Sequence, residues 1–247
     1  MTRVYDHELV NWNEASIPTA VVGGDRWAVK PKGRREALGY QLARGRLNVP
    51  EVRLLPRAEG PPRALVRLAK DYTVDDLPIR DLDEAVAAEL AFSLWIRRRD
   101  THAYNRAYVG GIPIFFDHGA AFEVSLELDR FLRHGPDNGF VPAWRVEEWA
   151  HEPTTLGTRW LNDATGLAIH PVHDLARFRS FFAAWVDRLA GQPAVVIEEA
   201  LTATGVGAKR FRLLRGFLRR SQQELPEVAR RVLDLLAAPT VVGRHSR

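Results

Sequence analysis

The 247-residue sequence predicts an α+β fold in which a small β-rich part precedes a mainly helical part. Short β-prone runs separated by turn residues occupy residues 19–69. From residue 81 onwards, apolar residues recur in longer stretches at a helical spacing. A polar stretch at residues 70–76 separates the two patterns. We therefore expect one domain border there, with a first unit at residues 1–70 and a second at residues 71–247.

The composition excludes several classes of protein. The chain has no cysteine, which rules out disulfides, thiolate catalysis and cysteine-ligated zinc. No apolar run approaches the length of a membrane span, and the first residues do not have the pattern of a signal peptide. We therefore expect a cytoplasmic protein. The formal net charge of +4 suits anionic ligands without implying nucleic acid.

In the β-rich part we expect a sheet with one helix. Strands are predicted at residues 19–22 and 26–31, joined by the turn Gly23-Gly24-Asp25. A helix at residues 34–46 follows, and two further strands come after it, at residues 51–55 and 63–69. Because side chains alternate along a strand, Lys30 shares a face with the small residue Ala28. A long cation beside a small residue is what binding of a phosphate group requires. The alternative for Lys30 is a solvated lysine on an edge strand, and Lys32 is a second candidate.

The helical part begins with a predicted helix at residues 81–99. It ends in Arg97-Arg98-Arg99, of which we expect at least two to be solvated; the alternative is that they hold phosphate or orient Asp100. Further helices are predicted at residues 175–189 and 195–203. The last two are predicted at residues 209–222 and 226–237.

Between these helices, Gly110-Gly111 joins two β-prone runs, which predicts a tight hairpin. Counting from the turn gives the expected register: Val109 opposite Ile112, Tyr108 opposite Pro113, Ala107 opposite Ile114, Arg106 opposite Phe115, and Asn105 opposite Phe116. Asn105 then lies across from the residue before Asp117. Neighbouring strands are about 5 Å apart, so these two side chains are within reach of one Mg²⁺, which prefers oxygen ligands. Asp100 and His102 are on the loop that enters the hairpin, and we expect them to be close enough to face the same ion's phosphates.

This segment resembles the catalytic segment of the protein-kinase-like superfamily, and most closely its phosphatidylinositol 3-/4-kinase-like and HipA-type branch. There the catalytic loop reads Asp-x-His-x-x-Asn, as residues 100–105 do, and the metal motif reads Asp-x-Gly, as Asp117-His118-Gly119 does. One departure is Thr101, where the family usually has arginine; it leaves open how the loop is braced. The resemblance covers residues 12–123.

The resemblance implies a two-lobed protein-kinase-like fold with a small β-rich N-lobe and a mainly helical C-lobe. It implies an ATP- and Mg²⁺-dependent kinase that transfers the γ-phosphoryl group to a hydroxyl of an unidentified protein, lipid or small-molecule acceptor. Lys30 and the Ser16 stretch would contact the nucleotide phosphates. Glu36 would aim Lys30, although its alternative role is to stabilise the helix N-terminus.

The remaining implied roles belong to the catalytic loop and the metal motif. Asn105 and Asp117 would hold Mg²⁺. Asp100 would orient or deprotonate the acceptor hydroxyl, while His102 would stabilise charge on the phosphoryl group or share the proton transfer.

Three alternatives stay open: a pseudokinase that binds ATP without turnover, an enzyme that transfers AMP on the same fold, and a basic nucleic-acid-binding domain. The basic helix at residues 209–222 is either a solvated face of the C-lobe or a surface for an anionic membrane or nucleic acid. The oligomeric state is also open.

Overall fold

The computed structural model describes residues 2–3, 18–31, 33–56, 60–68, 79–98, 106–109, 112–116, 118–119, 121–122 and 175–237. The domain border predicted at residues 70–76 lies outside these ranges. The described residues form a mixed α+β structure with a small antiparallel sheet and a set of helices, as predicted.

The β-rich part is a five-stranded antiparallel sheet in the order β1-β2-β3-β5-β4. Its strands are β1 (Thr2–Arg3), β2 (Pro18–Val22), β3 (Asp25–Lys30), β4 (Val52–Leu55) and β5 (Arg63–Leu68). Helix α1 (Gly33–Ala43) connects β3 to β4. The predicted sheet with one helix is thus present, and β1 adds a short strand that the sequence did not indicate. Gly23 and Gly24 both have positive φ, which accounts for the tight β2–β3 turn.

The two faces of β3 pack against different neighbours. On one face, Trp27 and Val29 pack with Leu65 of β5. On the other face, Ala28 packs with Tyr40 of α1 and with Phe116. Because side chains alternate along a strand, Lys30 belongs to this second face, the one that α1 covers.

The helical part comprises α2 (Ile79–Ile96), the hairpin β6 (Arg106–Val109) and β7 (Ile112–Phe115), and the helices α3 (Leu175–Ala190), α4 (Ala194–Ala203) and α5 (Ala208–Ala237). The prediction of two separate last helices is wrong, because α5 is continuous through Pro226. Proline removes one helical hydrogen bond. Leu225 and Val228 on either side of it are buried in the core, and this burial outweighs that loss.

One large apolar cluster joins α1 to the helical part. It contains Leu38 of α1, Trp95 of α2, Phe182 of α3, Leu201 of α4 and Leu218 of α5, all buried. The apolar face of the basic helix therefore belongs to the core, and its charged face is exposed, as expected for a C-terminal helix. Within the described ranges, no helix combines the length and the apolar character that crossing a bilayer requires.

Candidate functional site

The β6–β7 hairpin has the predicted register. Val109 pairs with Ile112, and the register continues to Arg106 opposite Phe115, the last described pair. The amide of Phe115 also donates to the carbonyl of Asn48, 2.9 Å away, in the segment that follows α1. The hairpin is therefore fixed against the first part of the chain.

Lys30 lies at the end of a central strand. β3 pairs with β2 on one side and with β5 on the other, where Lys30 lies opposite Ala64. The alternative of an edge-strand lysine is therefore excluded. Lys30 is half-buried, on the face of the sheet where Ala28 shares a buried cluster with Tyr40 and Phe116. The small residue next to the cation is therefore buried under the segment that leads to Asp117.

Glu36 is in the first turn of α1 and is fully buried. An ionised carboxylate is costly to bury unless other groups compensate its charge. The positive N-terminus of α1 is one group that can compensate it, since Glu36 is in the first helical turn. That Glu36 aims Lys30 stays a prediction.

His118, the middle residue of the Asp-His-Gly motif, is a core residue. Its ring makes edge contacts with Tyr40 of α1 at 4.6 Å and with Phe92 of α2 at 5.7 Å between centroids. Neither ring nitrogen has a hydrogen-bond partner among the described residues. The backbone of Gly39 lies so close that a Cβ built there would be 2.3 Å from the Cβ of His118. The sequence contained one signal of this contact, a glycine inside a helix, where glycine costs about 1 kcal/mol relative to alanine.

Two cations lie within electrostatic reach of His118. Burial lowers the pKa of His118 well below its usual range, and the positive charges of Arg98 and Lys30 lower it further. Lys30 and Arg98 are therefore near the Asp-His-Gly motif in the fold. Lys30 is far from this motif in sequence.

The end of α2 and the environment of its arginines differ from the prediction. The helix ends at Ile96, three residues earlier than predicted, because Arg97 has a left-handed backbone with φ of 54°. Arg97 and Arg98 are only 2% and 1% exposed. The prediction that at least two of the three arginines are solvated is therefore wrong. Arg97 donates to Ser221 of α5 at 3.0 Å and forms an ion pair with Glu224. Burial lowers the pKa of Arg97 to about 10, an effect that Glu224 partly offsets.

Arg98 connects α2 to the metal motif. Its Nη1 forms a buried ion pair with Glu89 of α2 at 3.2 Å, and its Nη2 donates to the carbonyl oxygen of Phe116 at 2.8 Å. The residue immediately before Asp117 is therefore held by the residue two positions before Asp100.

The other predicted site residues lie outside the described ranges: Ser16, Asp100, His102, Asn105 and Asp117. In the part of the chain that the structure does describe, no group of three or more His, Asp or Glu residues is arranged to hold a metal ion. By their chemistry, one amide oxygen and one carboxylate fit Mg²⁺, which takes oxygen ligands and keeps waters and substrate phosphates as the rest of its shell.

Comparisons of the chain with protein-family models, with curated proteins and with solved structures gave no match.

Proposed function

We propose that the chain is an ATP- and Mg²⁺-dependent phosphotransferase of the kinase-like type, with residues 1–70 as its N-lobe and residues 71–247 as its C-lobe. The acceptor is a hydroxyl of a protein, a lipid or a small molecule. The observation that carries the proposal is the buried cluster that joins Ala28 of the lysine strand to Tyr40 of α1 and to Phe116, the residue before Asp117. The charge of Lys30 also acts on His118 of the Asp-His-Gly motif. In protein kinases the phosphate-binding lysine is likewise on β3, and the Asp of the corresponding motif binds the metal.

Helix α1 supports the same proposal. It starts three residues after Lys30 and brings the buried Glu36 beneath the sheet, one turn before the contact with His118. In protein kinases an ion pair between this lysine and a helix glutamate must be in place for activity. Glu36 is buried one turn before Gly39, the α1 residue that lies against His118, and this position suits that role.

The proposed reaction requires positioning and charge stabilisation, without a covalent protein intermediate. The acceptor oxygen bonds to the γ-phosphorus while the bond from that phosphorus to the β–γ bridging oxygen breaks, and ADP leaves. Lys30 holds the nucleotide phosphates. Asp100 orients the hydroxyl and takes its proton, or shares that proton with His102. When bound by Asn105 and Asp117, Mg²⁺ would neutralise phosphate charge.

Product analysis tests the proposal. We expect the wild type, incubated with Mg²⁺ and ATP, to form ADP. The intact mass of an acceptor molecule should increase by that of one phosphoryl group. Asp117→Asn and Lys30→Met should each lower this rate by about 100-fold or more, because each removes charge stabilisation from the transition state. Lys209→Met, at an exposed position of α5, is the control and should keep the wild-type rate.

Two outcomes would contradict phosphoryl transfer. AMP and pyrophosphate as products, with the larger adenylyl addition on the acceptor, would establish the AMP-transfer alternative. ATP binding without any product would establish a pseudokinase.

A further inference from the structure

A fully buried ion pair, between Arg98 and Glu89, links the two halves of the proposed site. Arg98 and Glu89 have side-chain exposures of 0% and 1%. The same guanidinium also donates to the backbone carbonyl of Phe116 at 2.8 Å. Arg98 thus connects α2 to the chain before and after the hairpin. Arg98 itself precedes the proposed catalytic loop in sequence, and Phe116 precedes Asp117.

The acceptor of this hydrogen bond is itself fixed. Phe116 is fully buried and packs with Ala28 and Tyr40. The residue before it donates to Asn48, and the residue after Asp117 is enclosed by α1 and α2. The hydrogen bond from Arg98 therefore fixes the orientation of the Phe116 carbonyl group.

The chemistry of the pair favours a geometric role over a purely stabilising one. Desolvation offsets most of the attraction within a buried ion pair, and replacing such a pair with apolar residues is often neutral or stabilising. The planar guanidinium suits the contact pattern, because it reaches two acceptors in a fixed geometry, whereas an ammonium group does not.

We propose that Arg98 is a positioning residue that holds Asp117 in register with the catalytic loop, and that Glu89 fixes its guanidinium. This inference rests on the proposed function. It also accounts for Thr101, the position where the resembling family usually has arginine. In this chain the bracing arginine comes three residues earlier and acts from the end of α2.

Two variants test the role of Arg98. Arg98→Lys keeps the charge but loses the two-pronged contact. The double variant Glu89→Leu/Arg98→Met replaces the ion pair with apolar side chains of similar length and keeps the core filled. For each, we would measure the melting temperature without ligand and the Mg²⁺ concentration that gives half of the ATP-induced rise in melting temperature.

We expect both variants to fold and to need about 10-fold more Mg²⁺, which corresponds to about 1.4 kcal/mol. The matched control is Arg97→Lys, since Arg97 is equally buried and adjacent but contacts Ser221 and Glu224 of α5. This control should lower the melting temperature without ligand and leave the Mg²⁺ requirement unchanged.

The other outcomes separate the inference from the proposed function. Folded Arg98 variants with the wild-type Mg²⁺ requirement would overturn the positioning role. Failure of both variants to fold would also overturn it, because the Arg98–Glu89 pair would then be required for folding. Absence of a Mg²⁺-dependent effect of ATP on the wild type would instead overturn the proposed function.

Discussion

At the residue scale, the contact between Gly39 and His118 joins α1 to the Asp-His-Gly motif. Glycine at position 39 lets the helix backbone approach the Cβ of His118 to a distance that no larger residue permits. The ring of His118 then fills the space between Tyr40 and Phe92. The place of the motif is thus determined by packing as well as by the hydrogen bond from Arg98.

Gly39→Ala tests this contact. Alanine in a helix interior is normally about 1 kcal/mol more favourable than glycine, but here its methyl group would collide with His118. We expect the substitution to lower the free energy of unfolding by about 1–3 kcal/mol, as overpacking of a core does. Urea denaturation measures this change.

The control for Gly39→Ala is Gly216→Ala, in the exposed face of α5, where a Cβ would meet no atom within 4 Å. It should raise the free energy of unfolding by about 0.5–1 kcal/mol. Equal stabilisation by both substitutions would show that α1 does not press on His118.

Single residues were predictable where the signal was local. The face of Lys30 followed from strand alternation, and the structure places Ala28 on that face, buried against Phe116. The burial of Arg97 and Arg98 was not predictable. Their partners Ser221, Glu224, Glu89 and Phe116 are brought to them by the fold, and a run of arginines at a helix end is usually solvated.

At the element scale, α1 lies between the sheet and the C-terminal helices. Tyr40 belongs to the cluster with the sheet residue Ala28, whereas Leu38 and Leu42 belong to the cluster with Leu201 of α4. The helix that carries Glu36 is therefore held from both sides. Its position depends on α4, although α4 is some 160 residues away in sequence.

Leu201→Ala tests the support that α4 gives to α1. Leu201 is fully buried, so we expect a loss of about 2–5 kcal/mol in the free energy of unfolding. Hydrogen exchange of the α1 amides should also become faster. In the same helix, Val195 is 50% exposed, and Val195→Ala should change the free energy by less than about 0.5 kcal/mol. A cost for Leu201→Ala as small as that of the control would contradict the packing of α4 on α1.

Helices and strands were predictable where neighbouring residues in the sequence determine them. The hairpin register followed from Gly110-Gly111 and the alternation on either side, and each described pair agrees with it. The continuity of α5 was not predictable, because Pro226 is a helix breaker by local rules and only the burial of Leu225 and Val228 overrides it.

At the scale of the whole molecule, the structure confirms a small antiparallel sheet followed by packed helices. The site, by contrast, was predicted from spacing and resemblance. Of its residues, Lys30 and Glu36 belong to the described part, where Lys30 ends the expected strand and Glu36 is in the first turn of the expected helix. The roles of Asp100, His102, Asn105, Asp117 and Ser16 stay predictions, because their arrangement depends on loops whose geometry no local rule determines.

Thermal unfolding tests whether the chain has the proposed Mg²⁺-dependent ATP site. A ligand at 100 times its Kd stabilises the folded state by about 2.7 kcal/mol, a rise of about 5–10 °C in the melting temperature of a chain of this size. We expect ATP to produce this rise with Mg²⁺ present, and EDTA to abolish it. The rise should be absent in Asp117→Ala and retained in Asp234→Ala, which removes an exposed carboxylate of α5. A wild type that does not respond to ATP and Mg²⁺, or an Asp117→Ala variant that responds fully, would contradict the account.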